Sequence, residues 1–172
     1  MNNNSDVTVR RAASSDQSAI NSVCKAAFET EEEAILVEEL TAQNCVVESL
    51  VAEVSETVVG TIVFSRLEIV CDDRTVDALA LAPVAVIPEF QNRGIGSQLV
   101  REGLKLCKES GHHIVIVLGH PEFYPRFGFS SEFAKPLASP FSGDPWMAVE
   151  LTPGALENVA GRVVYAAPFG ID

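Results

Sequence analysis

The spacing of apolar and polar positions changes several times along this chain, and each change marks an element. "VTVRRA" (Val7–Ala12) alternates as a half-buried strand does. After "SSDQ", which offers helix-capping side chains, Ile20, Val23, Cys24, Ala27 and Phe28 fall on one helical face. Thr30 and Glu33 have capping-box spacing for a second helix, whose apolar stripe is Leu36, Val37 and Leu40. "SLVAEV" and "VVGTIVFSRLEI" read as strands joined by a hairpin at Ser55-Glu56-Thr57. "TVDALALAPVAVI" follows as another strand after the polar Asp72-Asp73-Arg74.

The next stretch is amphipathic with helical period. Ile95, Leu99, Val100, Gly103, Leu106 and Cys107 lie on one side; Gln98, Arg101, Glu102, Lys105, Lys108 and Glu109 lie on the other. "HHIVIVLG" is continuous, β-branched and bounded by Gly111 and Gly119, the pattern of a strand buried on both faces. A segment rich in proline and aromatic residues, "HPEFYPRFGF", precedes the strands "MAVEL" and "GRVVYAA". This order predicts an α/β fold with a mixed sheet. Its strand–helix–strand unit over Leu79–Gly119 should be parallel and right-handed.

Length and composition narrow the class. At 172 residues and 47% apolar, the chain reads as a single domain, residues 1–172, that needs no disulfide or metal to fold. Cys24, Cys45, Cys71 and Cys107 are scattered, with no zinc-site spacing, and read as reduced thiols of a cytoplasmic protein. "MNNNSDVTVRR" lacks the apolar stretch of a signal peptide, and no run is long enough for a membrane span. A net charge of −12 argues against a nucleic-acid partner and leans toward a cationic small molecule or peptide.

The candidate chemistry sits where the "VDALALAPVAVI" strand gives way to the helix: "PEFQNRGIGSQL". A helix N-terminus presents unpaired N–H groups and the positive end of the helix dipole. Glycines feeding it permit positive φ and close approach, so Gln91–Ser97 can form an anion cradle whose usual occupant is phosphate. The dinucleotide fingerprint fails because Leu99 stands three residues after Gly96, and no Gly-Lys-Ser/Thr of a P-loop occurs. Taken alone, Gly94-Ile95-Gly96 also reads as a tight turn and Tyr124 as a packed aromatic.

Together the motifs resemble the GCN5-related N-acetyltransferase (GNAT) superfamily, in particular a bacterial subgroup of predicted N-acetyltransferases. Gln91-Asn92-Arg93-Gly94-Ile95-Gly96 is similar to the family's acetyl-CoA motif, Arg/Gln-x-x-Gly-x-Gly/Ala. Tyr124-Pro125-Arg126-Phe127-Gly128-Phe129 is similar to its Tyr-x-x-x-Gly-Phe. The resemblance runs from Val7 to about Ala166 and implies a mixed, mostly antiparallel sheet with a parallel pair splayed at the acetyl-CoA site and helices on both faces. It further implies that Gln91, Asn92, Arg93, Gly94, Ile95, Gly96 and Ser97 hold the CoA pyrophosphate. The backbone of Val84, Ala85 and Val86 would pair with the pantetheine arm, and an amide near Val84 would polarise the thioester. Tyr124 would be the general acid toward the leaving thiolate, helped by unperturbed thiol and phenol pKa values lying within about 2 units of each other.

The resemblance implies transfer of an acetyl group to a primary amine of a small-molecule or peptide acceptor by direct attack, without a metal. Candidates for the base are His120, Glu122, Glu29 and Glu31–Glu33, or a water relay. These glutamates, with Glu38 and Glu39, could form an acidic rim for a cationic acceptor, but the favoured reading is a solvated helix face. Late strands in the family often pack across dimers, so a homodimer fits. The rival readings are a non-catalytic acetyl-CoA sensor or scaffold and transfer of a larger acyl group; Tyr124 favours an enzyme over the sensor.

Overall fold

The computed structural model describes residues 6–171. Backbone contacts divide it into two units. One comprises the chain up to Phe64 and Ala82–Gly103; the other comprises Ser65–Leu81 and the chain from Leu104 onward.

In the first unit, β1 (Val7–Arg11) pairs antiparallel with β2 (Val46–Val54), placing Val7 opposite Val54 and Arg11 opposite Leu50. Between them run α1 (Gln17–Ala27) and α2 (Glu32–Ala42). β2 turns into β3 (Thr57–Val70) through Ser55 and Glu56, whose φ values of +50° and +65° give the twisted two-residue hairpin foreseen in the sequence. Ile20, Val23 and Cys24 of α1 and Ala34 and Val37 of α2 pack on Val51, Val63 and Ala85. Alternate residues of β3 face the other way, toward α3 (Ile95–Glu109). There Gly103 lies so close to Phe64 that an added Cβ would come within 2.5 Å of the ring. Helices therefore cover both faces.

In the second unit, the far half of β3 pairs antiparallel with β8 (Gly161–Tyr165). β4 (Thr75–Val86) pairs parallel with β5 (Ile114–Leu118) at only two rungs, Leu79 to Val115 and Ala80 to Ile116. β5 pairs antiparallel along its whole length with β7 (Trp146–Glu150). α4 (Ser131–Ala134) and a two-residue β6 (Leu137–Ala138), parallel to β8, complete the unit. Its core includes Leu67, Ile69, Ile114, Ile116, Trp146 and Ala148. The sheet is mixed, as the residue pattern predicts, and mostly antiparallel, as the family resemblance implies.

Two local expectations shift. α2 starts at Glu32, and the Thr30 hydroxyl accepts from the Glu32 amide at 3.4 Å, where the capping-box spacing predicts the Glu33 amide as its partner. β2 begins at Val46, earlier than the "SLVAEV" pattern marks.

One ion-pair cluster fastens the start of the chain. Arg10 grips both oxygens of Asp16, at 2.7 and 2.9 Å, and donates to Glu53 at 2.7 Å; the Ala13 amide also donates to Asp16 at 2.6 Å. The Arg10 hydrogen bonds, then the Ala13 amide, hold the Asp16 carboxyl down at about 2. A depressed carboxyl contributes stability that is present above its unfolded pKa and lost as pH falls toward the folded one. Asp16→Asn should therefore cost about 2 kcal/mol at neutral pH, a difference that shrinks between about pH 4 and pH 2. Urea unfolding of both proteins across that window checks it; a pH-independent difference would contradict it.

Candidate active site

β4 leads directly into the candidate loop. Ala85 is buried in the α1–α2 core, so Val84 and Val86, its neighbours on the strand, turn to the opposite side and are half-buried. The Ile87 amide donates to the Val59 carbonyl at 2.9 Å, and Pro88–Phe90 form one 3₁₀ turn. Gln91 then reaches back: its side-chain amide donates to the Val86 carbonyl at 2.8 Å, folding the loop onto the strand. Asn92 and Gly94 take positive φ, +62° and +83°, and the Arg93 guanidinium between them lies 5.0 Å from the centre of the Phe90 ring. Asparagine is among the few non-glycine residues that accept this conformation readily.

The first helical bond runs from the Gln98 amide to the Gly94 carbonyl at 3.0 Å. The amides of Ile95, Gly96 and Ser97 consequently have no partner within the helix. The Ile95 side chain is buried near Gly60 and anchors the turn, while Gln91, Asn92, Arg93 and Gly94 are exposed. Open amides at the positive end of a fifteen-residue helix, beside an arginine, offer groups that can hold a polyanion. The predicted loop residues thus come together as one structure, with the Gln91 side chain spent on shaping the loop.

Tyr124 belongs to the second unit, and its motif is a self-packed turn. The His120 carbonyl accepts the amides of Phe123 and Tyr124 at 3.1 and 3.3 Å. Gly128 closes the turn at φ +97°, and Phe129 packs edge-on against the Tyr124 ring, centroids 5.5 Å apart. Across the ring lies Gly119, where a Cβ would stand 2.3 Å from Tyr124 Cε2, so glycine is required there. Tyr124 is 7% exposed, and its hydroxyl has no hydrogen-bond partner among the described residues. Burial pushes the phenol up to about 12, which widens the gap from a thiol that the sequence-based expectation treats as narrow.

The base candidates are scattered. His120 and Glu122 expose their side chains, and Glu122 engages Arg126 only through its carbonyl. Glu29, Glu31 and Glu32 are exposed, with Glu31 3.8 Å from Lys25; Glu33 is half-buried and accepts from the Thr30 hydroxyl at 3.5 Å. No cluster of three or more metal-ligating side chains occurs among the described residues, and no helix there is long and apolar enough to cross a membrane. A feature that sequence reasoning missed is a cavity of about 400 Å³ in the second unit, lined by α4, β6 and the 139–146 segment. That segment has no periodicity; Phe141 and Trp146 near Asp144 were its only visible signal.

The model of the acetyltransferase (GNAT) domain matches residues 8–131. The N-acetyltransferase YhbS of Escherichia coli is 32% identical over 157 residues, which cover 90% of this chain and 93% of that protein. A crystal structure of Escherichia coli YhbS in complex with CoA superposes with a TM-score of 0.88 at 30% identity, covering 95% of this chain and 92% of that one. A GNAT family acetyltransferase from Brucella melitensis, crystallised with acetyl-CoA, gives 0.80 at 29% identity, covering 96% and 99%. Motifs, fold and relatives agree: the chain belongs to the GNAT family and is an acetyl-CoA-dependent acyltransferase.

Proposed function

We propose that this protein is a cytoplasmic N-acetyltransferase that passes the acetyl group of acetyl-CoA to a primary amine of a small molecule or peptide by direct attack. The observation that carries this reading is the set of unpaired amides of Ile95, Gly96 and Ser97 at the start of α3, presented by a loop with positive φ at Asn92 and Gly94. They suit the CoA pyrophosphate. The backbone of Val84, Ala85 and Val86 supplies groups for the pantetheine arm, and an amide near Val84 stabilises the developing oxyanion.

In the reaction the amine nitrogen bonds to the carbonyl carbon, the C–S bond breaks, and CoA leaves as thiolate. Tyr124, protonated throughout the working range, donates a hydrogen bond to the departing sulfur. Full proton transfer from a phenol at about 12 to a thiolate whose acid sits near 8.5 is uphill by about 5 kcal/mol. The phenol therefore stabilises the thiolate, and solvent completes its protonation. Exposure of His120, Glu122, Glu29, Glu31 and Glu32 supports proton loss from the ammonium through water. Direct attack is supported by Cys24, which is buried and whose thiol is raised to about 11 by burial and then by the nearby Glu33 charge, against a thiolate nucleophile at that position.

A thiol-release assay with acetyl-CoA over a panel of primary amines and peptides tests the function. Amine-dependent CoA release is expected; tight acetyl-CoA binding with no release from any amine would favour a sensor or scaffold. For the loop, Gly94→Val forces a β-branched residue into positive φ, although its Cβ would touch nothing within 4 Å. Such strain costs about 1–2 kcal/mol, so acetyl-CoA affinity by calorimetry should fall about fivefold or more. Unchanged affinity in a folded Gly94→Val protein would contradict the cradle. Tyr124→Phe keeps the ring packed and removes only the hydroxyl. Loss of one hydrogen-bond donor to developing charge should lower kcat at least about tenfold with nearly unchanged acetyl-CoA affinity. Because the phenol holds its proton to about pH 12, the rate profiles of both proteins should be parallel from about pH 6 to 10. An alkaline limb near pH 9 that disappears in the variant would overturn that role.

A further inference from the structure

The cavity of about 400 Å³ in the second unit has a defined chemistry. Its floor is Leu137 and Trp146, and Phe141 packs on Trp146 with ring centroids 5.9 Å apart. The Trp146 indole N–H is taken by the Leu137 carbonyl at 3.2 Å, so the ring offers the cavity no free donor. Ser139 fixes Phe141 from both sides, its hydroxyl accepting from the Phe141 amide and donating to the Phe141 carbonyl, each at 3.0 Å. Two carboxylates reach the rim. Glu132 is occupied by Lys135 at 2.6 Å, whereas Asp144 has no ion-pair or hydrogen-bond partner among the described residues.

Its position bears on the chemistry. Trp146 opposes Leu118 in the last rung between β5 and β7, and cross-strand partners project from one face. On that face Leu118 is 46% exposed. The next residue, Gly119, turns to the other face and carries the Tyr124 ring, while its amide donates to the Pro145 carbonyl at 3.0 Å. The phenol and the cavity thus lie on opposite faces of the end of one strand. Acyl transfer suits such a division, with a donor to the leaving sulfur on one side and the incoming amine on the other.

We infer that this cavity receives the body of the acceptor, and that it selects an amine carrying a flat apolar body and a second cation. The aromatic pair takes the body, and Asp144 takes the cation that does not react. This inference rests on the transferase reading for its meaning, but binding tests it without turnover. The probes are 1,4-bis(aminomethyl)benzene and 4-methylbenzylamine, which share the ring and one amine and differ by the second ammonium. Calorimetry on the CoA-saturated protein should show the diamine binding about fivefold more tightly. Asp144→Asn should abolish that preference, and so should Ser142→Arg, which adds a cation at an exposed lining position. With acetyl-CoA, Asp144→Asn should raise the diamine KM about fivefold and leave kcat and the monoamine KM unchanged.

Equal binding of the two amines, or a preference that survives both variants, would overturn the cavity assignment even if both amines are acetylated. A preference lost in both variants without any acetyl transfer would uphold the cavity and count against the amine-transferase reading alone.

Discussion

A backbone amide without a partner inside the protein has to find one outside it, and the candidate site is organised around that constraint. The parallel ladder between β4 and β5 has two rungs, and β4 continues beyond them to Val86. The strand then delivers its chain to α3, whose first three amides point away from any helical acceptor. Other features serve this arrangement: positive φ at Asn92 and Gly94, the Gln91 tether to Val86, and the Ile95 anchor. A polyanionic co-substrate with a long amide-bearing arm matches such a surface in both charge and hydrogen-bonding pattern.

The second motif works through burial. Gly119 and Phe129 enclose the Tyr124 ring, and a low-dielectric setting keeps the phenol protonated. A phenol tuned upward is a poorer acid and a persistent hydrogen-bond donor, which suits it to the role proposed above, stabilising negative charge on sulfur. The same enclosure explains why glycine follows β5: any side chain at 119 would displace the ring.

Much of the fold was legible because long elements repeat their pattern. The stripe of α3, the unbroken apolar run of β5 and the polar turn at Ser55-Glu56 each leave a signal several residues long. β6, with two residues, leaves none, and spacing alone does not say that the Thr30 hydroxyl takes the Glu32 amide in place of the Glu33 amide. At the site, the loop and Tyr124 stood out through glycine spacing and motif order. Three properties were not legible: the Gln91 tether, the raised phenol and the cavity beside Trp146. All depend on contacts between residues distant in sequence or on side-chain direction, which periodicity does not encode.

Whether the open amides at the start of α3 hold the phosphates of CoA is read most directly by a backbone-amide NMR titration with CoA, compared with pantetheine, which has the arm but no phosphates. The amides of Ile95, Gly96 and Ser97 should move strongly with CoA, as they gain charged acceptors, and stay nearly still with pantetheine. Saturating CoA that leaves these three amides unmoved while shifting others would contradict that role.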